Sequence, residues 1–465
     1  MKKIKSKHKV LLADQLTPVS IYLQLRDKYP NALLLESTDY HHLDNCYSFI
    51  CLDPIAEIRL ENGNLNTIIN HEIAERRKID GNLVDEMRRF IRSFDFEKSG
   101  KPYQFNGFFG YTNYDAVRYF EDIDPEMSRD EIPEMRYSLF RYVLQFHHLN
   151  DSLTVIENRF EDDDEKLDEL TGNINTSIIS EFQFTVEGAE KQDMTEEDFH
   201  KIVKQAKKHI HRGDIFQIVL SREFSRPFHG DEFNVYRHLR NVNPSPYLFY
   251  FDYSDYKLMG SSPEIQVKVE GRKATLNPIA GTFQRTGDDE RDQELARKLL
   301  GDTKENAEHT MLVDLARNDL SRHATNVKVE DFREIQFYSH VIHIVSKVTG
   351  HLLDEFDGLD ILASTFPAGT LSGAPKVRAM QLISELEATP RGFYGGAIGM
   401  ITATGNINHA IMIRTIKSYS QNLVYRAGAG IVNKSDEEKE LQEVNHKIGA
   451  LRKSIELANT KKHSL

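Results

Sequence analysis

The run Thr365-Phe-Pro-Ala-Gly-Thr-Leu-Ser-Gly-Ala-Pro-Lys376 concentrates small residues, hydroxyls, Pro367 and Pro375, and closes on a lysine. Such a run turns sharply and packs closely. Two readings stand. It is a tight connector between packed elements, or it opens a helix and cradles an anion on unpartnered first-turn N–H groups. Residues 377–387 read as that helix, with Pro375 in a first-turn position where its missing N–H costs little. The G-x-x-x-x-G-K-[ST] spacing of a nucleotide-binding P-loop is absent.

Around this run lies a chain of 465 residues, enough for a large core in one big or two ordinary domains. A composition of 39% hydrophobic and 28% charged residues is that of a soluble globular protein. The net charge of −13 argues against a general binder of nucleic acid or anionic membrane. Cys46 and Cys51 are too few for a disulfide framework or a four-cysteine zinc site, and read as reduced packing residues of a cytoplasmic protein. Val10-Leu-Leu-Ala-Asp14, behind the basic N-terminus, is too short for a signal segment. No run of about 18 apolar residues is present, so no membrane-spanning helix is expected.

Residues 18–29 read as a helix, and 32–37 and 47–53 as strands, the second stopping at Pro54. A helix over 83–93 follows Asn82 as N-cap, and 137–147 and 152–158 look like paired strands. The acidic run from Glu161 and the polar stretch to about Asp193 mark a boundary between residues 1–185 and 190–460. Thr195-Glu-Glu-Asp198 opens a helix that Gly213 ends. Strands follow at 214–221, 257–264, 265–269 and 273–282, then helices at 288–300 and 304–320. Strand-rich segments at 335–348, 393–403, 410–418 and 423–432 precede a last helix over 436–456. Strands in antiparallel-looking runs, with helices between and at the end, make the fold class α+β.

Several residues have the chemistry of a site. Glu305 and Glu308 share one helical face, as do Glu440, Glu443 and Lys447. Carboxylates from two helices suit a divalent cation that keeps its waters, namely Mg2+. The competing reading is solvated glutamates, with Asp302 and Glu305 forming a cap. Glu264, behind Ser261-Ser-Pro263, is a general acid of raised pKa or a turn residue. His340 and His343 face opposite sides of a strand, so they are no joint metal pair; His343 lines a pocket or sits satisfied in the core. Arg414, inside an apolar strand, needs an anion. With Thr370, Lys376 and the small residues of Tyr425-Arg-Ala-Gly-Ala-Gly-Ile-Val432, it reads as a pocket for a small polycarboxylic acid, or as a packed strand pair with a surface arginine.

From about Asp193 onward the chain resembles the chorismate-utilising enzymes. The resemblance is carried in order by Gly213-Asp-Ile-Phe-Gln217, Ser262-Pro-Glu264, Pro278-Ile-Ala-Gly-Thr282, Glu305-Asn-Ala-Glu-His309, Val313-Asp-Leu-Ala-Arg-Asn-Asp319 and His343-Ile-Val-Ser346. It continues through the opening run, Arg391-Gly-Phe-Tyr-Gly-Gly-Ala-Ile-Gly399, Ile413-Arg-Thr415, Gly428-Ala-Gly-Ile-Val432 and the closing Glu440, Glu443 and Lys447. Leu34-Leu-Glu-Ser37 and residues 107–121 resemble the N-terminal region of anthranilate synthase component I. Gln217 stands where water-using members carry a lysine, and Ala280 where aminodeoxychorismate synthases often do.

The resemblance implies large antiparallel sheets packed as a sandwich with helices around them. It implies conversion of chorismate and ammonia to anthranilate and pyruvate, the ammonia coming from a separate glutamine amidotransferase subunit. Glu264, His343, Glu305 and Thr370 become the expected catalytic set, with Glu264 as acid. Glu308 and Glu443 are the expected Mg2+ ligands, supported by Glu305 and Glu440. Arg414, Tyr394 and the backbone of Gly428, Ala429 and Gly430 are expected to hold the enolpyruvyl carboxylate. Gly281, Thr282 and Thr370 are expected at the ring carboxylate, with Lys447 and Lys376 adding positive charge. Leu35, Glu36, Ser37, Pro244, Ser245, Pro246, Tyr247 and Leu248 match a tryptophan feedback site. Leu248 replaces the family's methionine with an apolar residue of similar size. An aminodeoxychorismate synthase component and an inactive tryptophan-binding relative are the alternatives.

Overall fold

The computed structural model describes residues 1–37, 46–79, 82–123, 131–174, 181–338 and 341–460. His340 and the side chain of Thr282 lie outside what is described.

Strand pairing defines two antiparallel runs. In one, Tyr47–Glu61 pairs with Leu33–Glu36, which continues through Tyr247–Asp252, Tyr256–Ser262, Thr415–Tyr419 and Asn422–Ile431 to Gln217–Gly230. In the other, Met135–His147 pairs with Gly107–Thr112, then Ala397–Thr402, Ile407–Ile411, Ile265–Glu270, Lys273–Leu276 and Val341–Leu352. The runs join where Tyr47–Glu61 pairs with Met135–His147. Strands from the first third of the chain thus sit inside both runs.

Side-chain alternation explains the layers, because neighbouring strand residues face opposite ways. Leu33, Phe109, Tyr111, Phe249, Phe251 and Ile398 from both runs share one buried cluster between the sheets. Their neighbours Leu34, Leu248 and Tyr250 pack under the helices Pro18–Leu25, Glu196–Arg212, Phe233–Val242 and Glu437–Ala458. Phe108, Ala397 and Ile401 pack with Leu83–Ile91, Thr303–Ser321 and Gly358–Thr365 on the other outer face. The arrangement is the expected α+β sandwich wrapped by helices. No helix among the described residues is long and apolar enough to cross a membrane.

Local signals placed most elements. Thr195 accepts from the Asp198 N–H, three acids follow in the first turn, and Gly213 closes the helix at φ 83°. Asn82 caps Leu83–Ile91 in the same way. Other expectations are corrected. The strand from Tyr47 runs through Pro54 to Glu61, because a register shift between Pro54 and Ala56 absorbs the missing donor, next to Asp53 at φ 59°. The first helix ends at Leu25 rather than 29. Asn277-Pro278 divides 273–282 into two strands, both lying along Val341–Leu352. The 410–418 segment breaks too, and Arg414 occupies the break at φ 49°, not a strand interior. The helix after the opening run is Lys376–Leu386, with Pro375 as its N-cap residue rather than in its first turn.

Candidate active site

Glu264 stands at the end of Tyr256–Ser262 and is 7% exposed. Its carboxylate accepts the Thr370 hydroxyl at 2.9 Å. Burial pushes its pKa up to about 8, although Thr370, Lys447 and Arg414 pull the other way. It is therefore largely protonated at neutral pH. His343, 3% exposed, donates Nδ1–H to the Gly281 carbonyl at 2.9 Å. Burial lowers its pKa to about 4, with Arg414 and Lys447 adding to that. A neutral ring protonated at Nδ1 keeps Nε2 as its basic nitrogen.

Gly281 lies at φ 66°, where a Cβ would stand 2.8 Å from Leu299 Cδ1 and 3.1 Å from Glu305 Oε2. Glycine is required there, and the Glu305 carboxylate is thereby placed beside the His343 anchor. Arg414 is half-buried, and desolvation lowers its pKa while Glu264 works against this. Its Nη1 reaches Asn243 Oδ1 at 3.4 Å.

Lys447 Nζ bridges the Gly428 carbonyl and Glu443 Oε1, at 2.8 Å each. This contact also orients the backbone. Ser221 N–H goes to Glu387 and Val219 N–H to Ser372, so the pairs Ser221–Gly428 and Val219–Gly430 are non-hydrogen-bonded. The N–H groups of Gly428 and Gly430 therefore point away from Gln217–Gly230, toward the side where Lys447 sits. Ala429 between them is fully buried. A Cβ at Gly428 would lie 3.0 Å from the Tyr394 hydroxyl, which places that ring against the same edge. Glu264, His343, Arg414, Lys447, Tyr394, Thr370, Gly281, Glu305 and the Gly428–Gly430 edge are thus linked by direct contact or close electrostatic interaction.

Glu308 and Glu443 are half-buried and Glu440 is buried. Among the described residues, no three or more His, Cys, Asp or Glu side chains gather as a metal cage. Lys376 is taken up by an internal ion pair. It is 8% exposed, and its Nζ lies 2.6 Å from Asp319 Oδ2 and 3.2 Å from the Thr365 carbonyl. The opening run therefore serves as a tight connector whose hydroxyl at Thr370 holds Glu264, not as an anion cradle built on Lys376.

The segments expected to hold tryptophan meet across a strand pair, with Leu248 opposite Glu36 and Phe249 opposite Leu35. Glu36 is 6% exposed and accepts from Tyr236 Oη at 2.7 Å and Arg240 Nη2 at 2.8 Å. Leu35, Ser37, Pro244, Pro246 and Tyr247 are half-buried, whereas Ser245 and Leu248 are buried. Asn243, not singled out for a role in the sequence, leads into this turn and bonds Arg414 and Ser261. Its signal was an amide directly before a proline-fixed turn.

A half-buried guanidinium and a lysine thus stand near a buried carboxyl of raised pKa and the N–H edge of Gly428 and Gly430, an arrangement that offers positive charge and hydrogen-bond donors to a small acid. The chain belongs to the chorismate binding enzyme family, which matches residues 30–453. Within it, the chain is 39% identical to anthranilate synthase component 1 of Aquifex aeolicus, over 96% of this chain and 94% of that one. It is also 39% identical to anthranilate synthase component 1 of Lactococcus lactis, over 97% and 99%. The crystal structure of anthranilate synthase component I from Streptococcus pneumoniae is similar with a TM-score of 0.78 and 35% identity, covering 87% of this chain and 92% of that one. The menaquinone-specific isochorismate synthase of Escherichia coli shares the fold, with a TM-score of 0.76, 18% identity and coverage of 98% and 95%.

Proposed function

We propose that this chain is the chorismate-converting component of an anthranilate synthase. It adds ammonia at C2 of chorismate, expels the C4 hydroxyl as water and eliminates pyruvate. The observation that carries the reading is the buried Glu264 carboxyl, held by Thr370 and near Arg414 and Lys447, with burial raising its pKa to about 8. Hydroxide is a poor leaving group, and a buried neutral acid delivers the proton that turns it into water. Arg414 and the N–H groups of Gly428 and Gly430 bind the enolpyruvyl carboxylate, with the Tyr394 hydroxyl beside them. His343 Nε2 takes the C2 proton when pyruvate leaves. Gln217, in place of a lysine, leaves water without a charged base, which favours ammonia.

Glu305, Glu308, Glu440 and Glu443 offer hard oxygen donors without a closed cage, which fits Mg2+, an ion that keeps waters and binds substrate oxygens. Glu308 and Glu443 would hold the ion, and bound there it supplies charge neutralisation for the ring carboxylate. Lys447, now paired with Glu443, is the resident cation at that edge. A separate glutamine amidotransferase subunit delivers the ammonia. L-Tryptophan inhibits by binding between the 34–37 and 244–248 segments.

The test is incubation of the purified chain with chorismate, Mg2+ and ammonium, with products identified by fluorescence and mass. Anthranilate and pyruvate, suppressed by tryptophan, are expected. Accumulated 4-amino-4-deoxychorismate without pyruvate would move the chain to a different branch of the family. Tryptophan binding without turnover would leave only a regulatory role.

A further inference from the structure

Arg391 is 3% exposed and has no place in the roles assigned above. Its guanidinium forms a two-pronged pair with Glu387, Nε to Oε2 at 2.9 Å and Nη2 to Oε1 at 2.7 Å. Two further donors go to backbone: Nη1 to the Leu371 carbonyl at 2.5 Å and Nη2 to the Val219 carbonyl at 2.7 Å. Its flat faces lie 4.8 Å from the Tyr114 ring centre and 5.7 Å from that of Tyr394. Glu387 in turn accepts from Ser221 N–H and Oγ–H at 2.8 Å each, and from Arg426 Nη1 at 3.2 Å. Burial alone would raise the Glu387 pKa, but Arg391 and Arg426 outweigh it and keep the carboxylate ionised.

These partners are the supports of the cleft. Leu371 adjoins Thr370, whose hydroxyl rests on Glu264. Val219 and Ser221 stand opposite Gly430 and Gly428, and their own polar groups turn to Arg391, Glu387 and Ser372 on the far edge of the strand. Tyr394 follows three residues after Arg391 and donates its N–H to the Arg391 carbonyl at 3.0 Å. A core ion pair serving only stability has no need of contacts concentrated this way, and a buried pair is in general weak evidence for stability. Only a planar fork can serve a carboxylate and two carbonyls at once, so a lysine cannot replace it.

We propose that Arg391, clamped by Glu387, is a positioning residue that holds the Thr370 hydroxyl on Glu264 and sets Tyr394 and the Gly428–Gly430 edge in register with it. The proposal rests on the reading of the cleft given under the proposed function. Arg391 does not touch the reacting atoms, and acts through Thr370.

The test uses the full chain with Arg391→Lys, Thr370→Val, the double variant and Glu387→Gln. Two readouts are taken: the pH dependence of kcat with chorismate and ammonium, and the titration of the Glu264 carboxyl by difference infrared spectroscopy in the resting protein. The groups facing Glu264 are Thr370, Arg414 and Lys447, and only Thr370 is joined to Arg391 through the Leu371 carbonyl. Losing the Thr370 bond therefore moves the Glu264 midpoint upward. Arg391→Lys is expected to lower kcat about tenfold or more and to raise the Glu264 midpoint by about half a pH unit, as Thr370→Val does. The double variant is expected to be no worse than Thr370→Val alone. A folded Arg391→Lys with an unchanged Glu264 midpoint, and a kcat loss that multiplies with that of Thr370→Val, overturns the proposal. If Arg391→Lys fails to fold, Glu387→Gln loosens the same clamp and is judged by the same criteria. If the parent chain does not consume chorismate, the functional reading falls, while the Glu264 titration still decides the positioning role.

Discussion

Thr370 and Glu264, 106 residues apart in sequence, are joined by a 2.9 Å hydrogen bond from hydroxyl to carboxyl. The bond matters because the carboxyl is otherwise desolvated. It moderates a pKa that burial has driven up to about 8, and orients the acid.

The pH dependence follows from the sign of that shift. The working form of Glu264 is protonated, so kcat, corrected for the fraction of ammonia that is unprotonated, is expected to be constant below the midpoint and to fall as pH rises through about 8. Glu264→Gln should lower kcat by about 100-fold or more and remove that limb. Steady-state anthranilate fluorescence from pH 6 to pH 10 checks both, and a high-pH limb that survives the substitution would assign it elsewhere.

Chelation tests the acidic edge. EDTA is expected to abolish turnover, and Mg2+ to restore it. Glu308→Ala and Glu443→Ala should each raise the Mg2+ concentration needed for half-maximal rate at least about tenfold. Thermal transitions of the variants should stay close to the parent's, since both side chains are half-buried. Undiminished Mg2+ response in both variants would remove them as ligands.

The buried Lys376–Asp319 pair should behave as a lock. Both side chains are 7% exposed, and their charged atoms lie 2.6 Å apart. Lys376→Met alone is expected to cost about 3–5 kcal/mol, because Asp319 is left buried without the counter-ion that opposes its desolvation. Combining it with Asp319→Leu should recover most of that. Urea unfolding of the two singles and the double gives the coupling, and additive losses would show that the pair is not the reason for either cost.

Buried histidines predict acid sensitivity. Burial lowers the pKa of His309 and His343 to about 4 and of His409 to about 3. The unfolded chain takes up protons at these positions near the ordinary histidine pKa, so stability is complete above about pH 6.5 and declines as pH falls toward 4. Near pH 5 each contributes a loss of about 2 kcal/mol. Urea midpoints at pH 7.5 and pH 5 read the sum, and His409→Asn should reduce the difference by about a third.

Tryptophan inhibition tests the pairing of the 34–37 and 244–248 segments. Glu36→Gln weakens the contacts to Tyr236 and Arg240 while keeping the side-chain shape. It is expected to raise the half-inhibitory tryptophan concentration at least about tenfold and to leave uninhibited kcat within about twofold. Unaltered inhibition would take Glu36 out of the binding site.

Much of the fold was legible because its signals are local. Thr195, Asn82 and Gly213 bracket their helices through contacts within a few residues, whereas only the folded sheet shows Phe249 and Phe251 on one face and Leu248 and Tyr250 on the other. Pro54 misled, because a proline ends a regular strand but not one with a register shift. Arg414 misled in the opposite sense: five residues, Ile411-Met-Ile-Arg-Thr415, look like uninterrupted strand, while the structure breaks there at φ 49°. No short-range pattern announces that break.

Read alone, the chain determined its class and the starts of capped helices such as those behind Asn82 and Thr195, because caps and ordered motifs are written in neighbouring residues. Only the tertiary structure decided what those residues are. It gave Lys376 to Asp319 instead of a ligand, put Asn243 against Arg414, made Arg391 the support of the Thr370 turn, and interleaved the early strands with the late ones. The reason is physical. The charge state of Glu264 or His343 depends on how much water is removed and which charges stand nearby, and both are set by side chains that come from distant parts of the sequence.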